Sequence, residues 1–293
     1  MAAREWPLVV FTLLAQIGVG FFLAFPLPLL LSGDRPEARS MLLISLAGVL
    51  AVLAAAGALS FFHLGNPLNA YRTLGNLRES WLSREIFFLL LTTGLLVGLF
   101  VLEWTRAGSR TALVALSVAA ALAGVALILS MANVYRLEAI PAWDSPMTTF
   151  SFLMTAFVLG ALGSAAVSAF KLLSEGGGAT PFAGRLPMNA AALALLALDL
   201  TAVLLFDPNF GLVRNGQRRV DPRPSRALMR LHGLRMALLL SAAAALVPMI
   251  LAGSHLASSS LIQSLMIGAF VAVLASETLG RVLFFALFRK EGL

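Results

Sequence analysis

"MLLISLAGVLAVLAAAGALSFFHL", residues 41–64, stays apolar and uncharged until it reaches His63. About 20 such residues, each rising 1.5 Å along an α-helix, cross the hydrocarbon core of a bilayer. Similar runs recur along the chain, at about 6–32, 86–105, 111–134, 147–172, 188–206, 227–251 and 261–287. Of the 293 residues 59% are hydrophobic and 12% charged, whereas a soluble domain carries about a quarter charged residues. The expected fold is therefore all-α: a polytopic membrane protein with eight transmembrane helices. Residues 1–293 read as one integral membrane domain, with the first run retained as a helix because it is too long and poorly flanked for a cleavable signal peptide. Pro26 and Pro28 are expected to bend that first helix, and Trp6 and Trp143 to anchor at the interface. Cysteine is absent, which excludes disulfides, thiolate-bound zinc and an iron–sulfur cluster held by this chain.

An even number of spans puts both termini on one side, here called side A, together with the loops 65–85, 135–146 and 207–226. Side B holds six cations: Arg35, Arg39, Arg106, Arg110, Lys171 and Arg185. The other fifteen of the 21 Lys and Arg lie on or toward side A, most densely in "RNGQRRVDPRPSR", residues 214–226. The positive-inside rule makes side A, with both termini, cytoplasmic. A basic loop of this kind also suits docking of an acidic partner.

Polar groups inside a span are costly, so their placement carries information. His63 and Glu85 stand at the two shoulders of the loop "FFHLGNPLNAYRTLGNLRESWLSRE", residues 61–85. His232 and Arg235 lie early in the seventh span, and Asp199 is seven residues, roughly 10 Å, from the end of the sixth. Glu277 and Arg281, four apart in "SETLGR", share one helix face and can pair. All of these fall toward side A, so a polar pocket opening to that side is expected. The bland readings stand beside it: His63 as an interfacial residue, Glu277 with Arg281 as a satisfied buried pair, the 214–226 loop as a topology signal. Haem fits poorly, since only His63 and His232 share a side and both sit at helix ends.

Several passages carry a family resemblance. "REWPLVVFTLLAQ" at 4–16, "HLGNP" at 63–67, "LSREI" at 82–86, "VYRLEAIPAW" at 134–143 and "SETLGR" at 276–281 occur in order along the chain, with a 22-residue step from His63 to Glu85. The chain resembles the membrane anchor subunit of dimethyl sulfoxide reductase and related molybdoenzymes. It departs from that pattern at "DSPMTTFSF", residues 144–152, and at "GRVLFFALF", residues 280–288, which has no tyrosine.

The resemblance implies an anchor in the bacterial cytoplasmic membrane, without haem or metal of its own. Its partners would be a catalytic subunit with molybdopterin guanine dinucleotide and an iron–sulfur electron-transfer subunit. Menaquinol would be oxidised at the anchor. The residues matching His63 and Glu85 are associated in the family with quinol binding and proton handling. An imidazole can donate and accept a hydrogen bond at a quinone oxygen, and a carboxylate at a watered helix mouth can take a proton. His63, Arg72, Asp199, Glu277 and Arg281 are thus expected to bind the quinone in one pocket, with Glu85 transferring protons. Arg78, Arg84, Arg218 and Arg219 are expected at the docking surface. Sulfite-, tetrathionate- and arsenic-type enzymes with similar anchors are the nearest alternatives. A proton-coupled transporter using Asp199 with Glu277 and Arg281, and a scaffold without quinone chemistry, are the more distant ones.

Overall fold

The computed structural model describes residues 6–32, 39–60, 74–137, 143–174, 186–206, 226–251 and 260–286. Among the described residues are nine α-helices, one short 3-10 turn and no strand. The helices are α1 Trp6–Ala24, α2 Pro26–Ser32, α3 Arg39–Ser60, α4 Trp81–Thr105, α5 Arg110–Tyr135, α6 Pro146–Ser174, α7 Leu186–Phe206, α8 Arg226–Leu251 and α9 Ser260–Ala286. Seven spans among the described residues are long and apolar enough to cross a membrane, α1 and α2 together forming the first; α7 contributes a shorter apolar stretch, Ala191–Leu205. These are the eight helical passages expected. The chain divides into two compact units, Met1–Leu137 with Thr148–Ala156, and Glu138–Met147 with Phe157–Leu293.

In the first unit α1 is buried on most of its surface, and its apolar residues surround it rather than forming one stripe. It packs on α3 and α5. At Gly20 it also meets the backbone of α6: a methyl there would lie 1.9 Å from the Ala156 carbonyl oxygen. Only glycine permits that approach. The expected bend is a break at Phe25, because Pro26, the first residue of α2, has no N–H to give the ladder.

α4 packs between α3 and α5. Its buried positions Glu85, Leu89, Thr92, Leu96 and Leu99 alternate in steps of four and three, the spacing of a helix–helix seam. Side B is tied by two arginines. Arg39 at the start of α3 donates to the Glu103 and Trp104 carbonyls ending α4, at 2.5 and 3.2 Å. Arg110 at the start of α5 donates to the Leu30 and Leu31 carbonyls ending α2. Each places a cation where a helix C-terminus leaves carbonyls unmet. Trp81 and Trp104, at the two ends of α4, are both exposed, as interfacial anchors are.

In the second unit α8 packs against both α7 and α9. Trp143, expected at the interface, is instead buried. Its ring stacks on Phe284 with centroids 4.9 Å apart, and its Nε1 donates to the Phe284 carbonyl oxygen at 2.9 Å. Two aromatic contacts and a satisfied indole outweigh the preference for headgroups. Trp6 is exposed, as expected.

Candidate functional site

The first unit places Glu85 through the start of α4. Ser80 is the N-cap, in extended conformation, and its hydroxyl accepts from the Ser83 amide at 3.2 Å. Arg84 turns back from the helix: its Nε donates to the Leu77 carbonyl at 2.8 Å and its Nη2 to that of Arg78 at 2.5 Å. Its guanidinium also lies 4.1 Å from the centre of the Trp81 ring. These contacts let α4 begin at Trp81, five residues before the expected start at 86. Glu85 is therefore the fifth residue of the helix rather than its first, about 6 Å along the axis from Trp81.

At that position Glu85 falls on the buried seam and is 4% exposed. No ion pair to it is seen among the described residues. Two turns further, Thr92 is also buried, and its hydroxyl has no hydrogen-bond partner among the described residues. Thr92, Val19 of α1 and Gly124 of α5 meet at one depth: a methyl at Gly124 would lie 2.9 Å from Val19 and 3.7 Å from Thr92. One turn from Val19 toward the α1 start sits Gln16, and one turn beyond that Thr12, both fully buried. α1 thus brings two polar side chains to the half of the unit that holds Glu85. Thr12 is satisfied by the Leu8 and Val9 carbonyls of its own helix.

His63, Arg72, Arg218 and Arg219 lie outside the described residues. Arg78 is exposed at the turn before α4, whereas Arg84 is engaged with its own chain.

The second unit gathers Asp199 of α7 with Glu277 and Arg281 of α9, each 3% exposed. It adds Arg235 of α8, 7% exposed, which sequence reasoning noticed as polar but gave no role. Glu277 takes a partner from the neighbouring helix: Arg235 Nη2 lies 3.4 Å from its Oε1. Asp199 is within Coulombic reach of Arg235, Glu277 and Arg281. The Arg235 guanidinium rests on Gly280, where a methyl would come within 2.8 Å of its central carbon. The Ser276 hydroxyl donates to the Arg235 carbonyl at 3.3 Å. The signals available in sequence were a lone arginine in the apolar run "LRMALLLS", residues 234–241, and a glycine inside "SETLGR". Nothing in sequence said that the two meet.

The helical fold resembles that of a solved structure, bd oxidase from Geobacillus thermodenitrificans. The TM-score is 0.72 at 14% identity, covering 96% of this chain and 84% of that one, a likeness of fold. In sequence the protein is 29% identical over 207 residues to a chain of the anaerobic dimethyl sulfoxide reductase of Escherichia coli, which is 69% of this chain and 68% of that protein. It is 34% identical over 137 residues to a subunit of the sulfite dehydrogenase of Allochromatium vinosum, 43% of this chain and 42% of that protein. The DMSO reductase anchor subunit family (DmsC) matches residues 1–287. A match running through every span, on a helical membrane fold, leaves one conclusion: this chain belongs to the family of DMSO reductase anchor subunits.

Proposed function

We propose that the chain is the quinone-reactive anchor of a molybdopterin oxidoreductase in the bacterial inner membrane, passing electrons between menaquinol and an iron–sulfur subunit. The observation that carries this reading is the placement of Glu85: a carboxyl on a buried seam, little more than one turn inside a helix mouth. Quinol oxidation releases two electrons and two protons. Electrons tunnel to a cluster, but protons need a chain of exchangeable groups. Glu85 takes the quinol proton and returns it toward the Ser80 end of α4. His63 and Arg72 hold the quinone oxygens. Molybdopterin guanine dinucleotide and the iron–sulfur clusters reside on the partner subunits. Arg78, Arg84, Arg218 and Arg219 belong to the surface facing them, with Arg78 the exposed one among those described. The termini, on side A, face the cytoplasm by the charge count. Asp199, Glu277 and Arg281, expected at the quinone as well, belong to the charge cluster of the second unit.

The test uses the assembled complex in its own membranes. Glu85→Gln lowers quinol-driven turnover about 100-fold, the lower range for a lost acid–base group. Turnover from a soluble dye that reduces the clusters directly stays unchanged. Equal quinol-driven rates in variant and parent would remove Glu85 from the mechanism. Similarity to a sulfite dehydrogenase subunit favours a second reading, in which the same site reduces quinone with electrons from the partner's substrate. Net quinone reduction on adding sulfite selects that reading.

A further inference from the structure

Two of the four buried ionisable side chains among the described residues of the second unit are permanent cations, since an arginine does not lose its proton inside a protein. Arg235 and Arg281 therefore place two fixed positive charges within a membrane-spanning unit, each about 8–14 Å along its helix from the described end. Such charges persist only beside compensating ones. The two carboxyls that supply them are held differently. Glu277 is paired with Arg235 at 3.4 Å. Asp199 is 3% exposed, and its Oδ2 meets no hydrogen-bond donor among the described residues. A buried acceptor left open costs on the order of 1–3 kcal/mol, and more if charged.

We propose that Asp199 is a reversible proton-binding site inside the membrane, and that Arg235, seated on Gly280, is the positioning residue that sets how readily it is filled. With Asp199 ionised the four groups sum to zero charge, and with Asp199 protonated to plus one. The charged groups around it are Arg235 of α8 with Glu277 and Arg281 of α9; His232 lies one turn before Arg235 on α8, and Arg226 and Arg230 of α8 are exposed. Glu277 and the arginines pull in opposite directions, so the position of the Arg235 guanidinium decides the balance. That position depends on Gly280, because any side chain there pushes the guanidinium aside. This inference stands independently of the quinone reading, since it concerns proton binding rather than turnover.

The experiment is infrared difference spectroscopy of the full chain in lipid nanodiscs across pH, in a Glu85→Gln background that removes the buried carboxyl described in the first unit, with the aspartate label separating Asp199 from Glu277. The expected result is one protonated-carboxyl stretch that disappears as pH rises. It moves in frequency when the protein is made with isotope-labelled aspartate, and it is absent from Asp199→Asn. In Gly280→Ala, which keeps all four ionisable groups, the midpoint shifts because the Arg235 guanidinium is displaced. A permanently neutral salt-bridge network predicts otherwise. No titrating stretch in the parent, a stretch insensitive to the aspartate label, or an unmoved midpoint in Gly280→Ala overturns the proposal. The label and the Gly280 variant decide the matter even if Asp199→Asn fails to fold.

Discussion

Replacing Gly20 by alanine adds one methyl where α1 touches α6. The new carbon would stand 1.9 Å from the Ala156 oxygen, 2.7 Å from its carbonyl carbon and 3.2 Å from its Cα. The first distance falls 1.5 Å short of the 3.4 Å at which ordinary contact begins. All three obstacles are backbone, so no rotamer change relieves them; the helix must move. Overpacking of this kind costs about 1–3 kcal/mol, against which alanine regains up to about 1 kcal/mol of helix propensity. Gly48 supplies the control, because a methyl there meets nothing within 4 Å and only the propensity gain applies. Gly20→Ala should thus unfold more easily than Gly48→Ala by about 2 kcal/mol. The assay is unfolding in mixed micelles followed by tryptophan fluorescence. Equal stability of the two variants would refute the close approach of α1 and α6.

Two further outcomes follow from the placed side chains. Arg235→Gln removes a buried guanidinium paired with Glu277 and should destabilise the protein by about 3 kcal/mol, whereas the double variant with Glu277→Gln recovers part of that loss; additive effects in a double-mutant cycle would contradict the pair. Ser80→Ala removes the cap of α4 and should cost about 1 kcal/mol, with faster hydrogen exchange at the Ser83 amide; an unchanged exchange rate there counts against the cap.

The order of spans was legible because eight long, predominantly apolar runs are a strong and local signal. The start of α4 was not. Arg84 reads as a residue that must stay in water, but its guanidinium bends onto the Leu77 and Arg78 carbonyls and the Trp81 ring, so the helix can begin before it. Trp143 misled for a related reason: in sequence it is a tryptophan beside an apolar run, and only tertiary packing on Phe284 draws it inside. At the candidate site, Glu85 could be read from its spacing and from resemblance. The partnership of Arg235 with Glu277 could not, because 42 residues separate them and Gly280 leaves no trace of the guanidinium it accommodates.

Trp81 and Trp104 make α4 a ruler. They are 23 residues apart, about 34 Å along the axis, a little more than the roughly 30 Å of an average hydrocarbon core. In a thicker bilayer the headgroups rise past Trp81, and Glu85 lies deeper below the lipid surface. In a thinner one the helix tilts or the lipids compress, and the carboxyl comes nearer to water. Lipid composition therefore acts on the depth of the very group proposed to carry protons, and hydrophobic mismatch becomes a physical control over its access to solvent.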